Sequence, residues 1–175
     1  MNKITYTLTY ALLFIAGQVA DAWTTYQLTR STEYGVFREL NPLVNLNSFT
    51  TILMFPPTLF AMLVCTAIVA WCESNRGVIA GQLDGRLRNI LLVPYYLLLL
   101  KWVAVGNNLV GWFGLGTPVS LFNRAFPHDY AWWGLVIMMT LVAAASTPVF
   151  RALLNRRYRL PTDSEYRKNI PHPGS

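Results

Sequence analysis

"NILLVPYYLLLLKWVAVGNNLVGWFGL", residues 89 to 115, is an apolar run that contains a single charged residue, Lys101. A helix through it would be about 40 Å long at ~1.5 Å per residue, enough to cross ~30 Å of hydrocarbon. An ionisable side chain inside such a span is rare, and it normally faces the bundle interior and meets a partner there. The rest of the chain therefore has to supply both the bundle and the counter-charge.

Three other runs, near residues 4–28, 49–72 and 130–154, have similar length and apolarity. Of the 175 residues 54% are hydrophobic and 13% charged, against roughly 25% charged in an ordinary soluble domain. The expected fold is an all-α membrane protein with four transmembrane helices in one bundle over residues 1–154. A basic, partly disordered tail follows over 155–175, and no sizeable soluble domain remains. The net charge of +6 does not imply nucleic acid, because the basic residues flank the apolar runs. They read instead as a topology signal.

Lys3, then Arg76, Arg86 and Arg88, then Arg151, Arg156, Arg157, Arg159, Arg167 and Lys168 fall on one side of the four-span scheme. Arg30, Arg38 and Arg124 fall on the other. The positive-inside rule then puts both termini and the middle loop in the cytoplasm. Trp23, Tyr26, Trp112, Tyr130, Trp132 and Trp133 collect near the outer boundary, where amphipathic rings prefer to lie, and Trp71 marks the inner one. The first run also imitates a secretory signal, with Ala20-Asp21-Ala22 as a small-x-small site. Against cleavage, its apolar stretch runs on into "WTTYQL".

Asp21 is the other ionisable residue within a span. Gln18, Asp21 and Thr25 share one helix face by three- and four-residue spacing, and Lys101 shares a face with Asn108 two turns on. Counted from Thr5 and Asn89 along two helices that run the same way, Asp21 lies at about 24 Å, Lys101 at about 18 Å and Asn108 at about 28 Å. A lysine stem reaches ~6 Å, so the ammonium meets the carboxylate if these helices touch. Between the first and second spans, "ELNPLV" (39–44) pairs an Asn N-cap with Pro at the first helical position, which predicts a short interfacial helix over 42–48. Pro56-Pro57 should then kink the outer part of the second span.

"DAWTTYQL", "ELNPLV" and "LLLLKWVAVGNN" together resemble an uncharacterised family of small bacterial polytopic membrane proteins. Its members combine an Asp-x-x-Thr helix, a Glu-x-Asn-Pro segment and a later intramembrane Lys. The likeness spans roughly residues 10 to 110 and falls on Asp21, Thr24, Glu39, Asn41, Pro42 and Lys101. It implies a shared site and carries no agreed activity with it.

The expected polar cluster is thus Gln18, Asp21, Thr24, Thr25, Lys101 and Asn108, with Glu39 and Asn41 near the outer face. Such a set either fixes helix packing, or binds a partner or small ligand, or hosts acid/base chemistry on a lipid or peptide through Asp21 or Glu39. Ion or proton translocation would need a polar path to both faces. Between Lys101 and the cytoplasmic side only Thr7, Thr9, Tyr10, Tyr95 and Tyr96 offer one. The leading expectation is a non-enzymatic membrane subunit or binding protein. Anionic lipids at the basic tail and a second copy or another membrane protein are the expected partners.

No cofactor or metal is expected. Cys65 and Cys72 are seven residues apart on one helix, about 10 Å, too far to bridge. His128 and His172 have no Cys/His spacing around them. Ser120, His128 and Asp129 share an outer loop without any nucleophile-elbow motif, so a hydrolytic triad does not follow.

Overall fold

The computed structural model describes residues 2–30, 48–81, 85–115 and 131–158, and every element among them is helical. In chain order these are α1 (Lys3–Arg30), α2 (Phe49–Leu53), α3 (Pro56–Ser74), α4 (Arg76–Gly81), α5 (Gly85–Trp112) and α6 (Ala131–Arg157). The segments Phe49–Ser74, Asn89–Trp112 and Val136–Arg157 are long and apolar enough to cross a membrane. α1 matches them in length but is richer in Thr, Tyr and Gln, and it is not among them.

Local chemistry sets the helix ends. Asn2 Oδ1 accepts the Thr5 amide at 2.7 Å, occupying a donor that the first turn of α1 would leave without a partner. At the far end of α1, Arg30 stacks over Tyr26 at 4.5 Å and lies in the last turn, where a cation suits the helix dipole. Ser48 caps α2 by accepting from the Thr51 amide. Pro56 and Pro57 occupy the first positions of α3, where a missing N–H is tolerated. The expected kink is therefore a full break at Met54–Phe55 that separates α2 from α3. The interfacial helix expected over 42–48 lies outside the described residues except for Ser48, which is the cap of α2.

The helix ends lie up to four residues from the expected ones, α5 beginning at Gly85 and not at 89, and two of the C-terminal shifts have a structural cause. α5 stops at Trp112 and not at 115, because Gly114 adopts φ 69° in the left-handed region. The Leu115 amide then bonds to the Val110 carbonyl and the Gly114 amide to the Gly111 carbonyl, a glycine-terminated Schellman cap. α6 runs to Arg157 and not to 154, and Leu154 and Tyr158 are buried. The chain just past 154 is thus docked, while the remainder of the tail, 159–175, lies outside the described residues.

Contacts fix the directions. Tyr6 meets Tyr95, and further along Asp21 and Thr25 meet Asn108, so α1 and α5 run parallel. Lys3 meets Ser74 and Gln18 meets Leu53, so α3 runs against α1. Tyr96 meets Thr147 while Leu91 and Leu92 pack near Leu154, so α6 runs against α5. α1 packs chiefly on α5 and α3, whereas α6 packs on α5.

Two apolar clusters hold the bundle. Tyr10, Phe14, Cys65 and Val69 join α1 to α3, and Cys72, Ile79, Leu91, Leu92, Leu154 and Tyr158 join α3, α4, α5 and α6 near one end. Large apolar side chains such as Leu12, Phe60, Leu63 and Leu141 face outward. A water-soluble protein would rarely leave so much apolar surface uncovered, whereas hydrocarbon covers it without cost.

Candidate functional site

α1 and α5 meet at a glycine. A Cβ at Gly17 would lie 2.9 Å from Lys101 Cγ, so only the bare backbone leaves room for the lysine stem. That stem runs along α1 for one turn, and Lys101 Nζ donates to Asp21 Oδ2 at 2.7 Å. With its Cγ beside Gly17 and its ammonium on Asp21, four residues further along α1, the reach of the lysine stem reconciles the different depths of the two residues. Gly17→Ala should force the stem aside and overpack the contact, costing about 1–3 kcal/mol. Thermal unfolding in detergent measures it, and an unchanged midpoint would show that the helices do not need this close approach.

Asp21 Oδ1 accepts from Asn108 Nδ2 at 3.1 Å. The same nitrogen lies 3.2 Å from Thr24 Oγ1 and 3.0 Å from Thr25 Oγ1. Its two N–H groups thus serve three acceptors, with one bond shared. The Thr24 hydroxyl donates back to the Ala20 carbonyl at 2.9 Å, leaving its oxygen as the acceptor for Asn108. Thr24, Thr25 and Asn108 are buried, and the Lys101 and Asp21 side chains are 15% and 21% exposed. The structure therefore brings Asp21, Thr24, Thr25, Lys101 and Asn108 together around one neutral ion pair.

Gln18 behaves differently from expectation. It lies on the adjoining face and turns to α2, where Nε2 donates to the carbonyls of Leu53 at 2.9 Å and Ile52 at 3.3 Å. Those carbonyls would pair with the amides of residues 57 and 56 in an unbroken helix, and both of those residues are proline. Glu39 and Asn41 lie outside the described residues, as do Ser120, His128 and Asp129. Among the described residues no group of three or more His, Cys, Asp or Glu side chains is arranged to hold a metal.

No family model, curated protein or solved structure matches the chain.

A second ion pair was not visible in the apolar patterning. Glu73, which the sequence places at the start of a solvated loop, is 1% exposed in the last turn of α3. Arg157 grips it with Nε at 3.1 Å and Nη2 at 2.7 Å, and the Tyr158 hydroxyl donates at 3.0 Å. The Arg157 guanidinium also stacks over Tyr6 at 4.4 Å. Burial, and then the Glu73 carboxylate, push the Tyr158 phenol above its ordinary range, which keeps it a neutral donor. Arg157 is therefore more than a topology signal. The one available clue was the i, i+1 pair Arg157-Tyr158 ending an apolar helix, which by itself names no partner.

Along α1 the two ion pairs are separated by the fifteen residues from Tyr6 to Asp21, about 22 Å. Tyr6 and Tyr95 share a hydroxyl bond of 2.7 Å next to the Glu73 end, and Tyr10 donates to the Pro94 carbonyl at 2.8 Å. Beyond Tyr10 toward Asp21, Phe14 and Cys65 fill the interior with apolar surface. The described side chains thus form two polar ends and an apolar layer between them.

Proposed function

We propose that this is a four-span integral membrane protein of a bacterial inner membrane, with both ends cytoplasmic, acting without catalysis as a membrane subunit or as the binder of a partner or small ligand. The observation that carries the reading is the occupancy of Asp21, whose two oxygens are engaged by Lys101 and Asn108 of the same chain. A carboxylate held on both oxygens joins two helices and is poorly placed to take a proton from a substrate. The apolar layer at Phe14 and Cys65 supports the same reading over translocation, which needs a polar route.

α1 serves as the fourth span in this proposal. It runs parallel to α5 and hides its costly polar groups against that helix, which offsets its lower apolarity. Lys3, Arg76 and Arg157 gather at one end, the arrangement that the positive-inside rule assigns to the cytoplasm. Exposed Arg151 and Arg156 at that end suit anionic head groups. Membership of the small bacterial family that the Asp21, Thr24 and Lys101 positions resemble belongs to the same proposal.

The test separates a joint from a reactive group. A chain carrying both Asp21→Asn and Lys101→Met removes the charges in pairs, and it should still complement loss of the wild-type protein in cells. Failure to complement, at normal protein level and thermal stability, would overturn the non-catalytic reading and transfer the role to the chemistry of Asp21.

A further inference from the structure

The break between α2 and α3 is closed by a side chain from another helix. Pro56 and Pro57 provide no N–H, so the carbonyls of Ile52 and Leu53 lack their ordinary helical donors. Gln18 Nε2 reaches both of them. The amide orientation follows from this contact, because turning the oxygen toward two carbonyl oxygens would be repulsive. A second contact holds the far end of α2, where the Phe49 ring lies edge-on to Trp23 at 6.2 Å and to Tyr26 at 6.1 Å. These two contacts bracket Ala22, which is 0% exposed, and Thr25, whose hydroxyl accepts from Asn108.

The latch has a built-in cost. Gln18 is 5% exposed, yet its Oε1 is buried with no hydrogen-bond partner among the described residues. Holding α2 against α1 therefore strands an acceptor, and moving α2 away would let that oxygen be solvated or paired again. A five-residue helix joined through Met54 and Phe55 to a proline-started helix has little else to fix its angle.

We propose that α2 is a hinged cover over the outer flank of the Asp21–Lys101 cluster, pivoting at Met54–Phe55 and held shut by Gln18 on the Leu53 carbonyl, which Pro57 deprives of its helical donor, and on the Ile52 carbonyl, which it shares with the Phe55 amide. Opening it uncovers Ala22 and the Thr25–Asn108 edge while α3 stays in place. The inference goes beyond the proposed function and stands whether the cluster is a joint or a binding site.

The experiment is a mutant cycle read by hydrogen exchange in detergent or nanodiscs. Gln18→Leu should speed exchange at the α2 amides, Ile52 and Met54, by about tenfold, the loss of roughly one net hydrogen bond, while α3 stays protected. In Pro56→Ala/Pro57→Ala the restored amides satisfy the same carbonyls within the helix, so adding Gln18→Leu there should change nothing at α2. This comparison also holds if Gln18→Leu alone fails to fold. An unchanged α2 in the single variant, or an undiminished Gln18→Leu effect in the alanine background, overturns the latch. The cover is read with Ala22→Cys in a Cys65→Ala/Cys72→Ala chain, where Gln18→Leu should speed methanethiosulfonate modification by about tenfold. Faster α2 exchange with an unchanged thiol rate would overturn the cover.

Discussion

Arg157→Met should destabilise the protein by about 3–5 kcal/mol, the range found when one partner of a buried ion pair is removed. Glu73 is 1% exposed and would keep, among the described residues, the Tyr158 hydroxyl alone, so its charge could not return to water without opening the α3–α6 contact. The reciprocal change, Glu73→Gln, should cost less, about 1–3 kcal/mol. Arg157 is 18% exposed, retains the Tyr6 ring beneath it and can still donate to the glutamine oxygen. Glu73→Gln combined with Arg157→Met should be more stable than Arg157→Met alone, because the stranded carboxylate is gone. Thermal unfolding in detergent, followed by the fluorescence of the six tryptophans, measures all three. A larger loss from Glu73→Gln than from Arg157→Met would show that the guanidinium is the costly group, contrary to the burial of the pair.

α6 makes this effect large. Among the described residues, none in its most apolar stretch is fully buried, and the contacts that dock it lie toward one end: Tyr96 on Thr147, Phe150 on Tyr95 and Tyr96, Leu154 in the apolar cluster, and Arg157 on Glu73. Loosening the last of these frees the helix end from α3 and α1 together. A packed helix would spread the same loss over its whole length.

Asp21→Asn is expected to cost about 2.5–3.5 kcal/mol, the scale of an uncompensated charge deep in a span. Lys101→Met should cost somewhat less, since Asp21 retains the Asn108 amide on Oδ1. The double variant should fall well short of the sum of the two, because the pair shares one interaction and one burial cost. Additive losses would mean that Asp21 and Lys101 contribute separately, and the bond at 2.7 Å would then be incidental to stability. Asn108→Ala belongs to a different class, since it removes a neutral amide and leaves the charges matched.

The Asp21–Lys101 contact was legible because hydrocarbon makes charge conspicuous. Two opposite charges in separate apolar runs, at depths one lysine stem apart on parallel helices, leave few other pairings. The helix break at Pro56-Pro57 was legible for a similar reason, as a missing N–H is a property of the residue type. Glu73 gave no such signal. It sits at the margin of its run beside Ser74 and Asn75, where a carboxylate is ordinary, and its burial depends on α6 returning 84 residues later to deliver Arg157.

Length, apolarity and the position of single charges determined on their own that the chain forms long helices, that the second run is interrupted at Pro56-Pro57, and that Asp21 and Lys101 belong together. Those are consequences of residue chemistry against a uniform apolar surrounding, which acts on each segment separately. Tertiary structure alone decided that Gly17 gives the lysine its path, that Gln18 serves the α2 break and not the carboxylate, and that Glu73 is interior. Each of those depends on which faces of two helices meet, a property of the pair that neither segment carries by itself.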